Sequence, residues 1–144
     1  MPRVDRYYLE TSPDSDARDR FVCRLIEKAV RQGYRLVVRV RDLAEAETLD
    51  QLLWTFRDRS FIPHGPDPNP RAPVWISPVD GHPETYRLLI QIEPELLDPQ
   101  WERYDRIAEI VPSAQRNAPA VRRREEAYRN AGFDFHEHDS KTAE

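Results

Sequence analysis

The chain carries one cysteine, Cys23, in 144 residues. That excludes an intrachain disulfide framework and a multi-cysteine zinc centre. Glycine is nearly as scarce, with four in all: Gly33, Gly65, Gly81 and Gly132. None falls in the turn after the first apolar run, and no GxxxxGK[ST] occurs, so the sequence fingerprints of a phosphate cradle are absent. That turn, "ETSPDSD", is acidic and repels phosphate. No apolar run approaches the roughly 18 residues of a membrane span. The opening Met1-Pro2-Arg3-Val4-Asp5 has no apolar signal region, so a cytoplasmic location is expected. The net charge of -4 weighs against non-specific nucleic-acid binding. Lysine is confined to Lys28 and Lys141, so the basic surface is made of arginine.

What is present suits one domain with a charged surface: 39% hydrophobic and 33% charged residues. We expect that domain over residues 1–133, with a frayed polar tail over 134–144. "VDRYYL" at 4–9 reads as a strand. Phe21, Val22, Leu25, Ile26, Ala29 and Val30 recur with helical spacing, after a Ser15 cap and before Gly33 as the stop. "RLVVRV" at 35–40 is a β-branched strand. Asp42 and Glu45 resemble a capping box and open a helix with Ala46, Leu49, Leu53 and Phe56 on its core stripe. Five of the thirteen prolines lie within residues 62–73, which therefore read as an extended surface loop. "PVWIS", "RLLIQI" and "IAEIV" give three further strands. Pro119 starts a last helix that Gly132 ends. The order β-α-β-α-β-β-β-α predicts an open, mostly parallel or mixed α/β sheet with helices on both faces, Rossmann-like without a nucleotide site.

Trp54 stands about 140° from Leu49 on the second helix, beside Glu47 and Asp50. A tryptophan on the polar side of a helix asks for a partner surface. Phe61 and Pro63 follow closely. His64 is a candidate general base, but no acid or nucleophile accompanies it at a telling spacing. His136 and His138 lie in the expected tail, where converging rigid ligands are not expected, so no metal or cofactor is assigned. The final helix region is rich in arginine: Arg116, Arg122, Arg123, Arg124 and Arg129. Val121, Glu125 and Tyr128 fall close to one side of it, with Arg122, Glu126 and Arg129 adjacent. Such arginines clamp a carboxylate or simply form i, i+4 pairs in solvent.

The chain resembles the chi subunit family of bacterial DNA polymerase III. The likeness rests on "YYL", "C-x-L-x-E-K-A-x-x-x-G-x-R" at 23–35, "LD-x-x-LW" at 49–54, "SFIPH" at 60–64, "PVWI", "LLIQI", "EIVP" and "R-x-x-AYRNAGF". It implies a non-catalytic subunit of the clamp-loader assembly that binds the psi subunit on one surface. On another it binds the acidic C-terminal tail of single-stranded DNA-binding protein. By resemblance Trp54, Phe61 and Pro63 match the psi-facing surface, which in some members also takes an iron–sulfur helicase. Val111 and Arg122 match the tail site. The resemblance implies that Arg122 grips the tail's terminal carboxylate and that the apolar surface near Val111 receives its terminal phenylalanine, with Arg123, Arg124 and Arg129 adding charge. Glu125 and Glu126 stand where the family pattern has an aromatic and a basic residue, and Ala118 replaces a basic one. Two other readings stay open: a small hydrolase using His64, and a nucleic-acid module using the arginine helix.

Overall fold

Leu36, Val37 and Val38 run apolar without a break, and all three are fully buried. A strand covered on one face alternates; one covered on both does not. The computed structural model describes residues 2–10, 16–55, 64–65, 73–78, 85–93 and 99–139, with the side chains of residues 16, 54, 55, 64 and 65 outside the description. Its elements are β1 (Arg3–Leu9), α1 (Asp16–Arg31), β2 (Leu36–Arg39), α2 (Leu43–Thr55), β3 (His64–Gly65), β4 (Val74–Ser77), β5 (Leu88–Gln91), β6 (Arg106–Pro112), α3 (Pro119–Asn130) and β7 (Asp134–Asp139). The strands form one open sheet in the order β3-β4-β2-β5-β6-β1-β7. Every pairing is parallel.

Both faces are covered. Val22, Cys23 and Ile26 of α1 and Ala46, Leu49 and Leu53 of α2 pack on Leu36, Val38 and Ile90. Burial pushes the Cys23 thiol up to about 12, so it behaves as a small hydrophobe. The opposite face packs Tyr128 of α3 with Val4, Val37, Leu89 and Ile107. Trp101, in a 3-10 turn before β6, meets Tyr128 edge-on with ring centres 5.0 Å apart.

The helix ends follow the expected chemistry. Gly33 and Gly132 take φ of +88° and +86°. The Tyr34 amide donates to Ala29 and the Gly33 amide to Val30, while Phe133 and Gly132 do the same to Tyr128 and Arg129. Both are Schellman endings, which need a left-handed residue. At the start of α2 the Glu45 amide donates to Asp42 Oδ1 at 2.9 Å. Glu45 Oε1 accepts from the Arg41 amide, one residue earlier than a capping box requires.

The tail expectation is corrected for residues 134–139. They form β7, paired in parallel with β1 from Arg3↔Asp134 to Tyr8↔Asp139. Phe135 packs against the α3 core, stacked 6.2 Å from Tyr128. His138 stacks on Tyr7 on the other face. The proline-rich loop also contains a two-residue strand, β3, paired with Val74 and Trp75. Ser15 and Phe56 lie outside the described residues.

Candidate functional site

In an open parallel sheet the ligand crevice forms outside the carboxyl ends of the strands. It opens where neighbouring strands send their crossovers in opposite directions. Here β1 crosses through α1 to β2, toward one edge, and β6 crosses through α3 to β7, toward the other. The crevice therefore lies at the ends of β1 and β6, where Tyr8 is paired with Val111 and Leu9 with Pro112.

Tyr8, Val111 and Val121 form a small apolar cluster there, with Ala118 packed against it. A 3-10 turn, Ser113–Gln115, leads from β6 toward α3. Arg116 leaves that turn with its guanidinium 3.9 Å from the centre of the Tyr8 ring. The same guanidinium lies 2.7 Å from Asp139 Oδ1 at the end of β7. Arg122, in the first turn of α3, is exposed and donates from Nη1 to Asn117 Oδ1 at 3.2 Å. Pro119 begins α3, and no side chain caps it at Ala118. The amides of its first turn therefore keep the positive pole of the helix, where an anion is favoured. An exposed guanidinium and an open helix start thus stand beside a closed apolar floor.

The arginines of α3 do not share a face. The buried residues of the helix are Val121, Arg124 and Tyr128, not the Val121, Glu125 and Tyr128 grouping that spacing suggested. Arg124 Nη1 donates to Glu109 Oε2 at 3.3 Å, and Nη2 donates to the Glu93 carbonyl at 3.1 Å. Arg129 is exposed, paired with Glu125 at 3.3 Å and set over the Phe135 ring. Glu125 also lies 3.6 Å from Arg6, so its charge is already opposed. Glu126 is exposed.

Arg124 belongs to a buried ionic cluster that sequence reasoning missed. Its centre is Glu109 of β6, with no exposed surface. Arg6 Nε of β1 donates to Glu109 Oε1 at 2.6 Å, and Tyr128 Oη donates to Oε2 at 2.6 Å. Arg6 Nη2 donates to the Val121 carbonyl at 3.0 Å. Burial opposes the Arg6 charge, but Glu109 and the Tyr8 hydroxyl outweigh it and raise its pKa. Burial and Glu109 hold the Tyr128 hydroxyl well above its ordinary value, so it remains a donor at neutral pH. The signal was available: Arg6 and Glu109 each interrupt an apolar strand run, "VDRYYL" and "IAEIV".

A second polar cluster lies at the carboxyl ends of β2 and β5. Glu93 is 3.5 Å from Arg18 and 3.6 Å from Arg41, and Glu45 is 3.2 Å from Arg18. Burial, then the hydrogen bond with Glu45, pushes the Glu93 carboxyl up to about 7. Burial opposes the Glu45 charge, but its bonds from Glu93, the Arg41 amide and Arg18 hold it below the usual glutamate value. A carboxyl raised on folding stabilises the fold fully below its unfolded value and loses that contribution as pH rises through the folded one. Glu45, being lowered, acts only below the usual glutamate range, so the two windows do not overlap. The melting temperature should fall as pH rises from the usual glutamate range toward 7, and Glu93→Gln should flatten that slope. An unchanged slope in the variant would assign the titration to another group.

The remaining candidates are placed unevenly. Residue 54 is in the last turn of α2 and His64 opens β3, with both side chains outside the described residues. Phe61 and Pro63 lie outside them altogether. His138 Nε2 is 2.9 Å from Asp5 Oδ1, and His136 is exposed. Among the described residues, no group of three or more His, Cys, Asp or Glu is placed to hold a metal ion. No helix among them is long and apolar enough to cross a membrane.

Fold and crevice together define an open, all-parallel α/β domain of Rossmann kind. Its crevice offers arginine and a helix start in place of a glycine phosphate loop. Residues 1–136 match the family described as DNA polymerase III chi subunit, HolC, and the chain belongs to that family. It is 36% identical over 141 residues to the DNA polymerase III subunit chi of Pseudomonas aeruginosa, covering 96% of each chain. It is 29% identical over 142 residues to the Escherichia coli protein of the same name, covering 94% of this chain and 96% of the other. A probable chi subunit of Rickettsia prowazekii is 34% identical over 76 residues, about half of each chain.

Proposed function

We propose that the chain is a non-catalytic adaptor of the clamp-loader assembly, working in the cytoplasm without a cofactor. It joins the psi subunit, through Trp54, Phe61 and Pro63, to the acidic C-terminal tail of single-stranded DNA-binding protein at Arg122. An iron–sulfur helicase is an alternative occupant of the first surface. One observation carries the reading: the described ends of the two candidate surfaces stand at opposite ends of the sheet. The helix α2 starts at the carboxyl end of β2 and returns the chain to the amino end, where β4 begins. The first turn of α3, with Arg122, is at the carboxyl end of β6. The β3–β4 edge that follows α2 is also the edge farthest from β7. Two partners bound at such positions do not compete, which is what a bridging subunit requires.

The test is titration with an acidic peptide ending in phenylalanine, free or amidated at its C-terminus. The free peptide should bind at least tenfold tighter, because a carboxylate adds a charge-assisted hydrogen bond that an amide cannot. Equal affinities would remove the carboxylate from the recognition and the reading with it. For the other surface, Trp54→Ala should weaken psi binding at least tenfold, as loss of an aromatic anchor does. Its melting temperature should stay near that of the parent. A large drop in melting temperature, with binding that tracks only the folded fraction, would make residue 54 part of the core.

A further inference from the structure

The helix α1 is basic on its outside, although the chain carries a net charge of -4. Arg20, Arg24, Lys28 and Arg31 are exposed, and among the described side chains of α1 no acidic one is. At 100° per residue the four fall within about 80° of one another. From Arg20 to Lys28 they are four residues apart, about 6 Å along the axis. The acids of the helix are turned inward: Asp19 pairs with Arg18 at 3.1 Å, and Glu27 lies 3.7 Å from Arg31. Beside this row an open cleft separates α1 from the sheet, with Lys28 and Gln32 on one bank and Arg106 on the other. Arg106 is 35% exposed. Asp5 below it is 3% exposed and is shared with Arg3 and His138, so it does not cancel the Arg106 charge. The cleft holds about 40 Å³, space for a few water-sized groups and not for an aromatic ring.

The face also lacks something. Interfaces between proteins centre on apolar side chains and are depleted of charge there. The large hydrophobic side chain exposed among the described residues is Leu43 of α2, and α1 offers none. A nucleic-acid backbone needs no apolar centre, because its binding is carried by cations that release counterions from phosphates.

We propose that the outer face of α1, continued across the cleft to Arg106, is a binding surface for the phosphate backbone of a nucleic-acid strand. Arg20, Arg24 and Lys28 follow successive phosphates, a spacing that an extended single strand matches. One phosphate bridges Lys28 and Arg106 at the cleft. The bases stay outside it, so the surface reads charge and not sequence. It lies on the sheet face opposite α3, and Arg106 begins β6 while Arg122 stands beyond its carboxyl end. The inference therefore does not depend on the peptide reading.

The experiment titrates the full chain into a labelled oligothymidylate and follows fluorescence anisotropy between about 50 and 200 mM salt. We expect weak binding at the lower salt, with a logarithmic salt slope of about -2, the value for three phosphates on a single strand. Lys28→Ala should weaken binding several-fold, alike on thymine and adenine strands, and reduce the slope by about one. The pair Arg24→Glu and Lys28→Glu should abolish binding, with the circular dichroism spectrum unchanged because both positions are exposed. Arg123→Ala on α3 should bind as the parent does. Binding that survives the double reversal and falls with Arg123→Ala would move the site to α3 and overturn the assignment. Polyglutamate bound as tightly as the oligonucleotide, with the same loss in Lys28→Ala, would make the face a surface for acidic protein and overturn it too. So would the absence of salt-dependent binding at the lower salt.

Discussion

A chain with alanine in place of Glu109 should lose about 3–5 kcal/mol of folding stability, the usual cost of removing one partner from a buried ion pair. Glu109 has no exposed surface and is shared by Arg6, 1% exposed, and Arg124, 6% exposed. The substitution leaves two guanidinium groups facing each other across β1, β6 and α3 with no carboxylate between them. It also leaves the Tyr128 hydroxyl without its 2.6 Å acceptor. The half-buried Glu125, 3.6 Å from Arg6, offsets only part of this. Domains of this size hold about 5–15 kcal/mol in all, so the loss is a large share of the total. Urea unfolding with a common slope measures it. A midpoint equal to that of the parent chain would mean that the cluster is solvated and that its short hydrogen bonds contribute nothing.

Arg122→Ala should leave stability nearly unchanged and weaken the acidic peptide ten- to hundredfold. Hydrogen bonds to charged groups contribute on the order of 1.5–3 kcal/mol, and an exposed substitution away from the core costs about half a kcal/mol at most. Amidating the peptide removes the other half of the same contact, so the two changes should not add. Full additivity in that cycle would show that Arg122 and the carboxylate do not meet. Arg123→Ala, on an exposed neighbouring position, is the control. Arg124→Ala should behave oppositely to Arg122→Ala, lowering stability and affecting affinity only through the folded fraction, because its guanidinium is taken up by Glu109 and the Glu93 carbonyl.

These contrasts mark where the sequence could be read. Strands such as Leu36–Arg39 were legible because β-branched side chains in an unbroken apolar run have few alternatives. The helix ends at Gly33 and Gly132 were legible because only glycine takes their backbone angles cheaply. The strand β7 was not. "DFHEHD" has one apolar side chain, and its pairing with β1 lies about 130 residues away, as with His138 and Asp5. A charged edge strand carries almost no hydrophobic signal. The arginines of α3 failed for another reason. A buried guanidinium and a solvated one are the same letter, and only Glu109 on a neighbouring strand separates Arg124 from Arg122. The partner of Arg116 at the crevice is Asp139, which polar composition had assigned to a tail.

The interior place of β1 has a consequence for how the chain is made. β1 pairs on both edges with strands that follow it by a hundred residues or more, Arg3 with Arg106 on one side and with Asp134 on the other. Arg6 emerges 103 residues before the Glu109 that neutralises it. At a translation rate of about 5–20 residues per second, that interval is roughly 5–20 s. Until then Arg6 has no Glu109 to meet, and a charged side chain at that position discourages β1 from pairing with strands of other nascent chains. The contacts among β1, α1, β2 and α2 are separated by fewer residues and can form within that interval. Closure around β1 comes as a late, long-range step of the slow kind that distant strand pairing imposes.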